Sequence, residues 1–205
     1  MKSCPTKQCY GSTALYNTLG QNNFLGSKCL AIFCSIKCPG NLILQTYELA
    51  KSLRDNGITV ISGFHSPMEQ EVLNILLKGN QPIIICPARS IKNMRIPALW
   101  KPALEQNRLL IISPFAKGNK RMTQKNAIVR NKFVAKLADA VFIAYANPNS
   151  KTESFCSELR STGKPIFTFD CPENQNLLAL GVKPISVSSM GSLAISLQTP
   201  KAVRQ

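Results

Sequence analysis

The sequence predicts a doubly wound α/β fold, with a mostly parallel sheet of about six to seven strands and helices on both faces. The first observation is a set of nearly continuous apolar runs of 5–6 residues, which is typical of strands covered on both sides. The second is helical spacing of apolar residues between these runs, which favours parallel strands with right-handed crossovers. The runs are Cys29–Cys34, Ile58–Ser62, Pro82–Cys86, Leu109–Ser113, Ala140–Tyr145 and Pro165–Phe169.

Three helices are predicted from apolar spacing and end signals. The first follows Ile43, Tyr47 and Ala50 to Arg54, and Asn56-Gly57 ends it with a residue suited to a left-handed cap. The second begins near Met68 and ends at Gly79. The third lies within 120–137, with Phe133, Val134 and Leu137 facing the core. Its outer face is expected to carry Lys125, Arg130, Lys132 and Lys136.

Two units are predicted along the chain. Residues 1–28 are polar and are interpreted as an N-terminal arm with one short helix, and residues 29–205 as a single Rossmann-like domain. Within the domain, Pro87–Arg108 is predicted to be a long, loop-rich connection. A last strand is expected at Ile185–Val187, and a final helix from about Gly191. Because no apolar run is long enough for a membrane span and the N-terminus does not resemble a secretory signal, we expect a cytoplasmic protein without membrane contact.

The positive charge is concentrated in one part of the chain. Lys and Arg number 25 against 10 Asp and Glu, a formal net charge of +15. Between Val72 and Lys136 there are 13 basic residues and one acid, Glu105, so this segment alone carries 13 − 1 = +12. Such a field attracts polyanions and predicts a nucleic-acid or nucleotide partner. A merely solvated basic surface is the alternative interpretation.

The eight cysteines do not indicate a disulfide framework or a metal site. None forms a Cys-x-x-Cys pair, and the spacing of Cys4, Cys9, Cys34 and Cys38 is not that of known zinc fingers. A thiolate–imidazole pair of Cys34 with His65, the one histidine, is a further hypothesis; a buried cysteine beside a solvated histidine is the simpler one. No catalytic residue, metal or cofactor is predicted, and we expect a binding protein rather than an enzyme.

Polar and small residues follow three predicted strands that share one sheet edge. Ser35 and Lys37 follow the first strand, Ser62 and Gly63 end the second, and Ser150-Lys151-Thr152 precedes a helix after the fifth. Ligands of doubly wound sheets bind at this edge, where helix N-termini favour phosphate groups. The dinucleotide-binding and P-loop glycine patterns are absent, which disfavours a nicotinamide dehydrogenase or an NTPase.

Taken in order, these segments resemble the Rossmann-like domain of the DprA/Smf DNA-processing family, within the SLOG-type superfamily. The family pattern is a strand ending in Gly-Ser-Arg, a strand ending in Ser-Gly-Leu, an Arg-Asn-Arg that leads into a helix, and a Ser-Gly-Ser/Thr turn. The matching segments are Leu30–Ser35, Val60–Phe64, Arg130–Asp139 and Ser150–Thr152, with Glu69 in the place of a family aspartate. The likeness covers roughly residues 15–169.

The resemblance implies single-stranded DNA in a basic pocket, self-association into dimers and loading of a RecA-type recombinase. By position, the pocket residues carried over are Ser35, Ser62, Gly63, Arg130, Asn131, Lys132, Ser150, Lys151 and Thr152, and Lys37 joins them from the sheet-edge argument. The first motif departs from the family, since Cys34 replaces its glycine, Ile36 replaces its arginine and Lys37 comes one place late. We therefore predict a divergent, stand-alone member.

Two other functions remain open on sequence grounds. One is a small-molecule nucleotide sensor or a nucleotide phosphoribohydrolase-like enzyme on the same fold, although the Pro-Gly-Gly-x-Gly-Thr signature is absent and Glu153 is the nearest match to its glutamate. The other is a scaffold that pairs with a protein through the basic face. Aromatic residues suited to base stacking are Phe64, Trp100, Phe115 and Tyr145.

Overall fold

The computed structural model describes residues 7–11, 14–20, 28–116 and 118–186, which form one nine-stranded sheet and six α-helices. The strands are β1 (Lys7–Gly11), β2 (Ala14–Gly20), β3 (Cys29–Cys34), β4 (Thr59–Ser62), β5 (Ile83–Ile85), β6 (Leu109–Ser113), β7 (Ala140–Tyr145), β8 (Ile166–Phe169) and β9 (Lys183–Ile185). The helices are α1 (Gly40–Asp55), α2 (Pro67–Leu76), α3 (Lys101–Glu105), α4 (Gln124–Leu137), α5 (Lys151–Arg160) and α6 (Gln175–Ala179).

The strand order is β1-β2-β6-β5-β4-β3-β7-β8-β9. The strands from β3 to β9 all run parallel to one another, whereas β1 pairs antiparallel with β2, and β2 antiparallel with β6. The chain winds outward from β3 towards β6, then returns through α4 to β7 and winds the other way. The strand order therefore reverses between β3 and β7, which is where ligands bind in such sheets.

Each face of the sheet carries its own apolar core. On one face α1 and α2 cover the strands through residues such as Leu49 and Leu76; on the other, α4 and α5 do so through Val134 and Phe155. Strand β3 lies in the middle and is buried along its whole length, which explains its uninterrupted apolar sequence. None of the described helices is long and apolar enough to cross a membrane.

The doubly wound α/β prediction is confirmed, and the six predicted strands correspond to β3–β8. The predicted helices correspond to α1, α2 and α4, and Gly57 has the expected left-handed conformation at φ 71°. The connection 87–108 is mostly irregular, with a short 3-10 turn and α3. The last strand lies at Lys183–Ile185, two residues earlier than predicted. The predicted final helix from Gly191 falls outside the described residues.

The predicted short helix of the N-terminal arm is wrong for residues 7–11 and 14–20, which form an antiparallel ribbon on the edge of the sheet. This ribbon raises the strand number from the predicted six or seven to nine. Strand β2 shows the physical reason, since alternate side chains point to opposite faces: Tyr16 packs near Phe133 on one face, while Leu19 packs against the core of the other. The division into an arm and a domain at residue 28 stays a prediction.

Candidate phosphate-binding site

A cavity of about 750 Å³ opens at the carboxyl ends of β3, β4 and β5, between α4 and α5. Among the residues that the structure describes, four cationic side chains line it, namely Arg89, Arg130, Lys132 and Lys151, and Glu158 is the one carboxylate. The remaining wall is largely apolar. A cavity with several cations and little negative charge is suited to a phosphate-bearing ligand.

The turn after β4 forms one wall of the cavity. Ser62 is fully buried; its hydroxyl donates to the Ile32 carbonyl at 2.8 Å and accepts from the Phe64 amide at 3.2 Å. These two bonds hold Phe64 at a φ of 46°, a left-handed conformation uncommon for a side chain of this size. As a result Gly63, Phe64 and His65 face the cavity.

Glu69 fixes this turn against the end of β3. One carboxylate oxygen accepts from the Cys34 amide at 3.1 Å, and the other accepts from the His65 amide at 2.8 Å. Ser66 caps α2 by accepting from the Glu69 amide, so the pair forms a capping box. Glu69 stands where the resembled family has an aspartate, and here it connects two strand ends without lining the cavity.

Arg130 reaches from α4 across the top of Gly63. A β-carbon on Gly63 would lie 0.9 Å from Nη1 of Arg130, so only glycine leaves room for the guanidinium. The expectation that Arg130 lies on the outer face of its helix is wrong: it is 5% exposed, whereas Lys125, Lys132 and Lys136 are exposed. The apolar spacing of α4 does not predict the burial of Arg130, because the space for its side chain comes from Gly63, which belongs to another part of the chain.

The buried guanidinium has little to neutralise it. Nη1 donates to the Cys86 carbonyl at 3.4 Å, Nε has no hydrogen-bond partner, and none of the ion pairs among the described residues includes Arg130. A buried charge without an ion-pair partner is costly, so an anion in the cavity that neutralises the guanidinium would be bound strongly. Asn131 beside it also lines the cavity, and its side-chain oxygen is buried without a partner.

Lys132 is the second cation that α4 contributes, and it is already paired. Its Nζ lies 2.7 Å from Oε2 of Glu158 on α5, with both side chains about half exposed. Both residues line the cavity, so this ion pair joins the two helices at its wall. An exposed pair is weak and screened by salt, which leaves Lys132 able to exchange the carboxylate for a ligand phosphate.

The turn after β7 brings α5 to the same edge. Ser35 is buried, and its hydroxyl accepts from the Asn147 amide at 3.1 Å, which attaches the first loop to this turn. Ser150 caps α5 by accepting from the Glu153 amide, and Lys151 and Thr152 in the first turn line the cavity. The Lys151 ammonium donates to the Gln124 side chain on α4.

The structure brings together six of the ten sequence-predicted site residues around this cavity: Gly63, Arg130, Asn131, Lys132, Lys151 and Thr152. The other four lie elsewhere, with Ser35, Ser62 and Ser150 making internal hydrogen bonds and Lys37 exposed outside the lining. Sequence reasoning missed Arg89, which follows β5 and lines the cavity. Its place after a strand at the same edge was the available signal.

The apolar part of the wall includes two of the four aromatic candidates. Phe64 and Trp100 line the cavity together with Met94 and Ile36, whereas Phe115 and Tyr145 do not. Ile36, at the place of the family arginine, is 73% exposed. The cavity thus combines a cationic region with apolar surface, which is the combination that a nucleotide's phosphate and base require.

The hypothesis of a Cys34–His65 pair finds no support in the geometry. The Cys34 thiol is buried and hydrogen-bonds to Cys38, which with burial raises the pKa of Cys34 well above its ordinary value. His65 is exposed. No group of three His, Cys, Asp or Glu side chains among the described residues is arranged to hold a metal ion.

The chain is similar in sequence to a known protein family and in structure to several solved proteins. The family model of DNA recombination-mediator protein A matches residues 6–182. DNA processing protein A from Streptococcus pneumoniae superposes with a TM-score of 0.73 at 17% identity, over 92% of this chain and 68% of that chain. The protein of the same name from Helicobacter pylori, solved to describe its single-stranded DNA binding mode, gives 0.72 at 20% identity, over 89% and 86%.

A second group of structures shares the fold more distantly. The molybdenum cofactor binding protein from Rippkaea orientalis superposes with a TM-score of 0.58 at 12% identity, over 84% of this chain and 98% of that chain. At such identities these superpositions show a common fold and nothing about the ligand. No curated protein matches the chain.

Proposed function

Because the chain belongs to the DNA recombination-mediator protein A family, we propose that it binds single-stranded DNA, with a backbone phosphate held at Arg130 in the cavity. The supporting observation is the Arg130 guanidinium itself, which is 5% exposed, lies over Gly63, lines the cavity and has no ion-pair partner among the described residues. A phosphodiester supplies both the charge and the acceptor oxygens that this group lacks.

Single-stranded rather than double-stranded DNA suits the shape and lining of the site. The cationic residues lie in a concave cavity, whereas a duplex presents a convex backbone whose bases are stacked inside. In an unpaired strand a base is free to contact Trp100, which is partly exposed at the cavity wall, and such stacking contributes about 1–3 kcal/mol per base. This stacking tolerates any base, so we propose binding without strong sequence preference.

The family membership extends the proposal to partners. We propose that the chain forms a homodimer and delivers single-stranded DNA to a RecA-type recombinase in the cytoplasm. Sedimentation of the purified protein measures its oligomeric state. Co-precipitation with a recombinase in the presence and absence of oligo-dT measures binding to the recombinase and its dependence on DNA. If the protein is strictly monomeric, or does not bind the recombinase, its function is restricted to DNA binding.

A nucleotide-cleaving enzyme on this fold is less well supported by the geometry. Glu153, the nearest match to the glutamate of such enzymes, accepts from the Asn149 amide and from the Asn176 side chain, and does not line the cavity. Glu158, which does line it, is paired with Lys132. Neither carboxylate is placed as a free base beside a bound nucleotide.

The test is salt-titrated binding of a fluorescent oligo-dT. Release of counterions from three or four phosphate contacts predicts that log K falls with log salt at a slope of about −2 to −3. A duplex of the same length should bind more weakly, and a mononucleotide should compete poorly. Absence of oligo-dT binding at low salt would overturn the proposal.

A further inference from the structure

A second pocket, of about 230 Å³, lies at the amino ends of β8 and β9, at the end of the sheet opposite to the cavity that Arg130 lines. Three cations line it: Arg160 at the end of α5, Lys164 shortly before β8, and Lys183 at the start of β9. No described residue that lines it is acidic. The pocket is smaller than the roughly 300–1,000 Å³ of sites for drug-sized ligands, so it suits a small anion rather than a nucleoside.

Two of the cations are positioned by the backbone around them. The Lys164 ammonium donates to three carbonyls at the C-terminal end of α4, including that of Lys136 at 2.8 Å. The Arg160 guanidinium lies against the turn before β9, where a β-carbon on Gly181 would stand 3.5 Å from Nη2 and where Gly181 has a φ of 77°. A side chain that is already positioned loses less conformational entropy when it binds an anion.

Side-chain carboxylates do not neutralise the charge of this pocket. The ten Asp and Glu residues of the chain all lie in the described ranges. The ion pairs among those residues involve Lys51, Arg54 and Lys132, so neither Arg160 nor Lys183 has a carboxylate partner there. The C-terminal ends of α4 and α5 contribute about half a negative charge each, which three cations outweigh. The pocket therefore favours an anionic ligand.

We propose that Arg160, Lys164 and Lys183 form a second phosphate-binding site, which contacts the backbone of the same DNA strand that occupies the Arg130 cavity. The inference rests on the proposed function, because the strand in the cavity supplies the phosphates. Helix α5 connects the two sites, since its first residue, Lys151, lines the cavity and its last, Arg160, lines the second pocket.

The length of α5 sets the number of nucleotides that must lie between the two sites. The ends of the helix are 160 − 151 = 9 residue steps apart, which at about 1.5 Å per residue is roughly 14 Å. At a stacked spacing of about 3.4 Å per nucleotide, about four nucleotides cover this distance. A strand that only fills the Arg130 cavity is therefore too short to reach the second pocket, and a longer one is able to contact both.

The two sites differ in what they contact. The Arg130 cavity offers Trp100 to a base, whereas no aromatic residue is among the described residues that line the second pocket. Contacts to phosphate position a strand and carry no sequence information. The second site is therefore expected to raise affinity and salt dependence without adding any preference among bases.

The test compares two fluorescent oligo-dT strands, of about 4 and about 12 nucleotides, in salt titrations of the full chain. For the wild type, the slope of log K against log salt should be steeper by about one to two units for the longer strand, because it makes additional phosphate contacts. Arg160→Gln/Lys183→Gln should lose this difference and bind the longer strand about fivefold to tenfold more weakly at low salt. Its binding of the shorter strand should stay unchanged.

Lys78→Gln/Lys101→Gln is the matched control, since it removes the same formal charge from exposed positions that line neither site. An equal loss in this control, or a slope difference that Arg160→Gln/Lys183→Gln retains, would overturn the second site and leave DNA binding in the Arg130 cavity intact. Binding of neither strand would overturn the proposed function and this inference together. Urea unfolding checks that the variants are folded. Lys183→Gln alone should show a smaller effect of the same kind, and it decides the question if the double variant does not fold.

Discussion

The Arg130 guanidinium lies directly over the α-carbon of Gly63, and Nη1 is 0.9 Å from where a β-carbon would stand. One residue belongs to α4 and the other to the turn after β4, so two elements far apart in sequence share one small volume. The relationship gives the site its buried charge, and it makes the site sensitive to a single methyl group.

Gly63→Ala is expected to displace Arg130 and weaken oligo-dT binding at least about tenfold, because a methyl group cannot coexist with the guanidinium at its present position. The crowding should also lower the free energy of unfolding by about 1–3 kcal/mol. Anisotropy and urea unfolding measure the two effects. Gly118→Ala is the control, since a β-carbon there meets nothing within 4 Å. Unchanged affinity in Gly63→Ala would show that Arg130 does not hold the ligand.

Arg130→Met should separate stability from binding. Methionine keeps most of the aliphatic length and removes a buried charge that has no ion-pair partner among the described residues, so we expect unfolding free energy to stay constant or rise by about 1–3 kcal/mol. Binding of oligo-dT should fall about tenfold or more, because a charge-assisted contact is lost.

Arg108→Met is the matched control for that experiment. Arg108 is similarly buried and also has one nitrogen, Nη1, without a hydrogen-bond partner, but it donates to the Leu77 carbonyl at 2.6 Å and to the Gln106 side chain, and it does not line the cavity. Its loss should therefore reduce stability and leave affinity unchanged. The same result from both arginines would contradict the distinction between a ligand-binding and a structural guanidinium.

The Lys132–Glu158 pair predicts opposite effects of its two members. Lys132→Ala should reduce the magnitude of the salt slope of oligo-dT binding by about one unit, because one phosphate contact is lost. Glu158→Gln should strengthen binding at low salt up to about fivefold, since it removes the only carboxylate among the described residues that line the cavity. Lys136→Ala, on the same helix and outside the cavity, controls for net charge; an equal change there would refute a local role.

Ser62→Ala is expected to lower stability rather than abolish contact with DNA. The hydroxyl bonds both the Ile32 carbonyl and the Phe64 amide in a fully buried position, and leaving such groups unpaired costs about 1–3 kcal/mol. Thermal or urea unfolding measures this, with the exposed Ser157→Ala as the reference. A destabilisation below about 0.5 kcal/mol, the usual scatter of surface substitutions, would argue against this structural role of the hydroxyl.

Cys86 provides a prediction on pH. Burial raises the pKa of its thiol to about 12, an effect that the nearby Arg130 guanidinium opposes. A thiol whose pKa is raised in the folded state keeps its full contribution below the unfolded value of 9.0, and stability is lost as pH rises from there to about 12. Cys86→Ala should therefore lose less stability than the wild type over this window, by up to about 1.4 kcal/mol per pH unit. Parallel curves would place Cys86 in contact with solvent.

The strands and helices of the core were predictable because each has its own local sequence pattern, such as an apolar run or a residue that ends a helix. The uninterrupted apolar run of β3 reflects burial on both faces, and the Asn56-Gly57 end of α1 reflects one left-handed residue. The ribbon of β1 and β2 was not predictable in the same way. Strand β2 is held by pairing with β6, about a hundred residues away, and β1 pairs in turn with β2; strands at the edge of a sheet need no continuous apolar pattern.

The features of the site also fall into those that the sequence predicts and those that depend on the tertiary structure. The sequence alone determined which strand ends carry small, polar and cationic residues, and a parallel sheet necessarily brings those ends to one edge. Only the tertiary structure decided that Arg130 turns inward over Gly63, that Ser35 and Ser62 connect strand ends instead of lining the cavity, and that Glu158 pairs with Lys132. The physical reason is that these roles depend on the space and the hydrogen-bond partners that other elements supply. The periodicity of a helix or strand predicts only the face of that element on which a side chain lies.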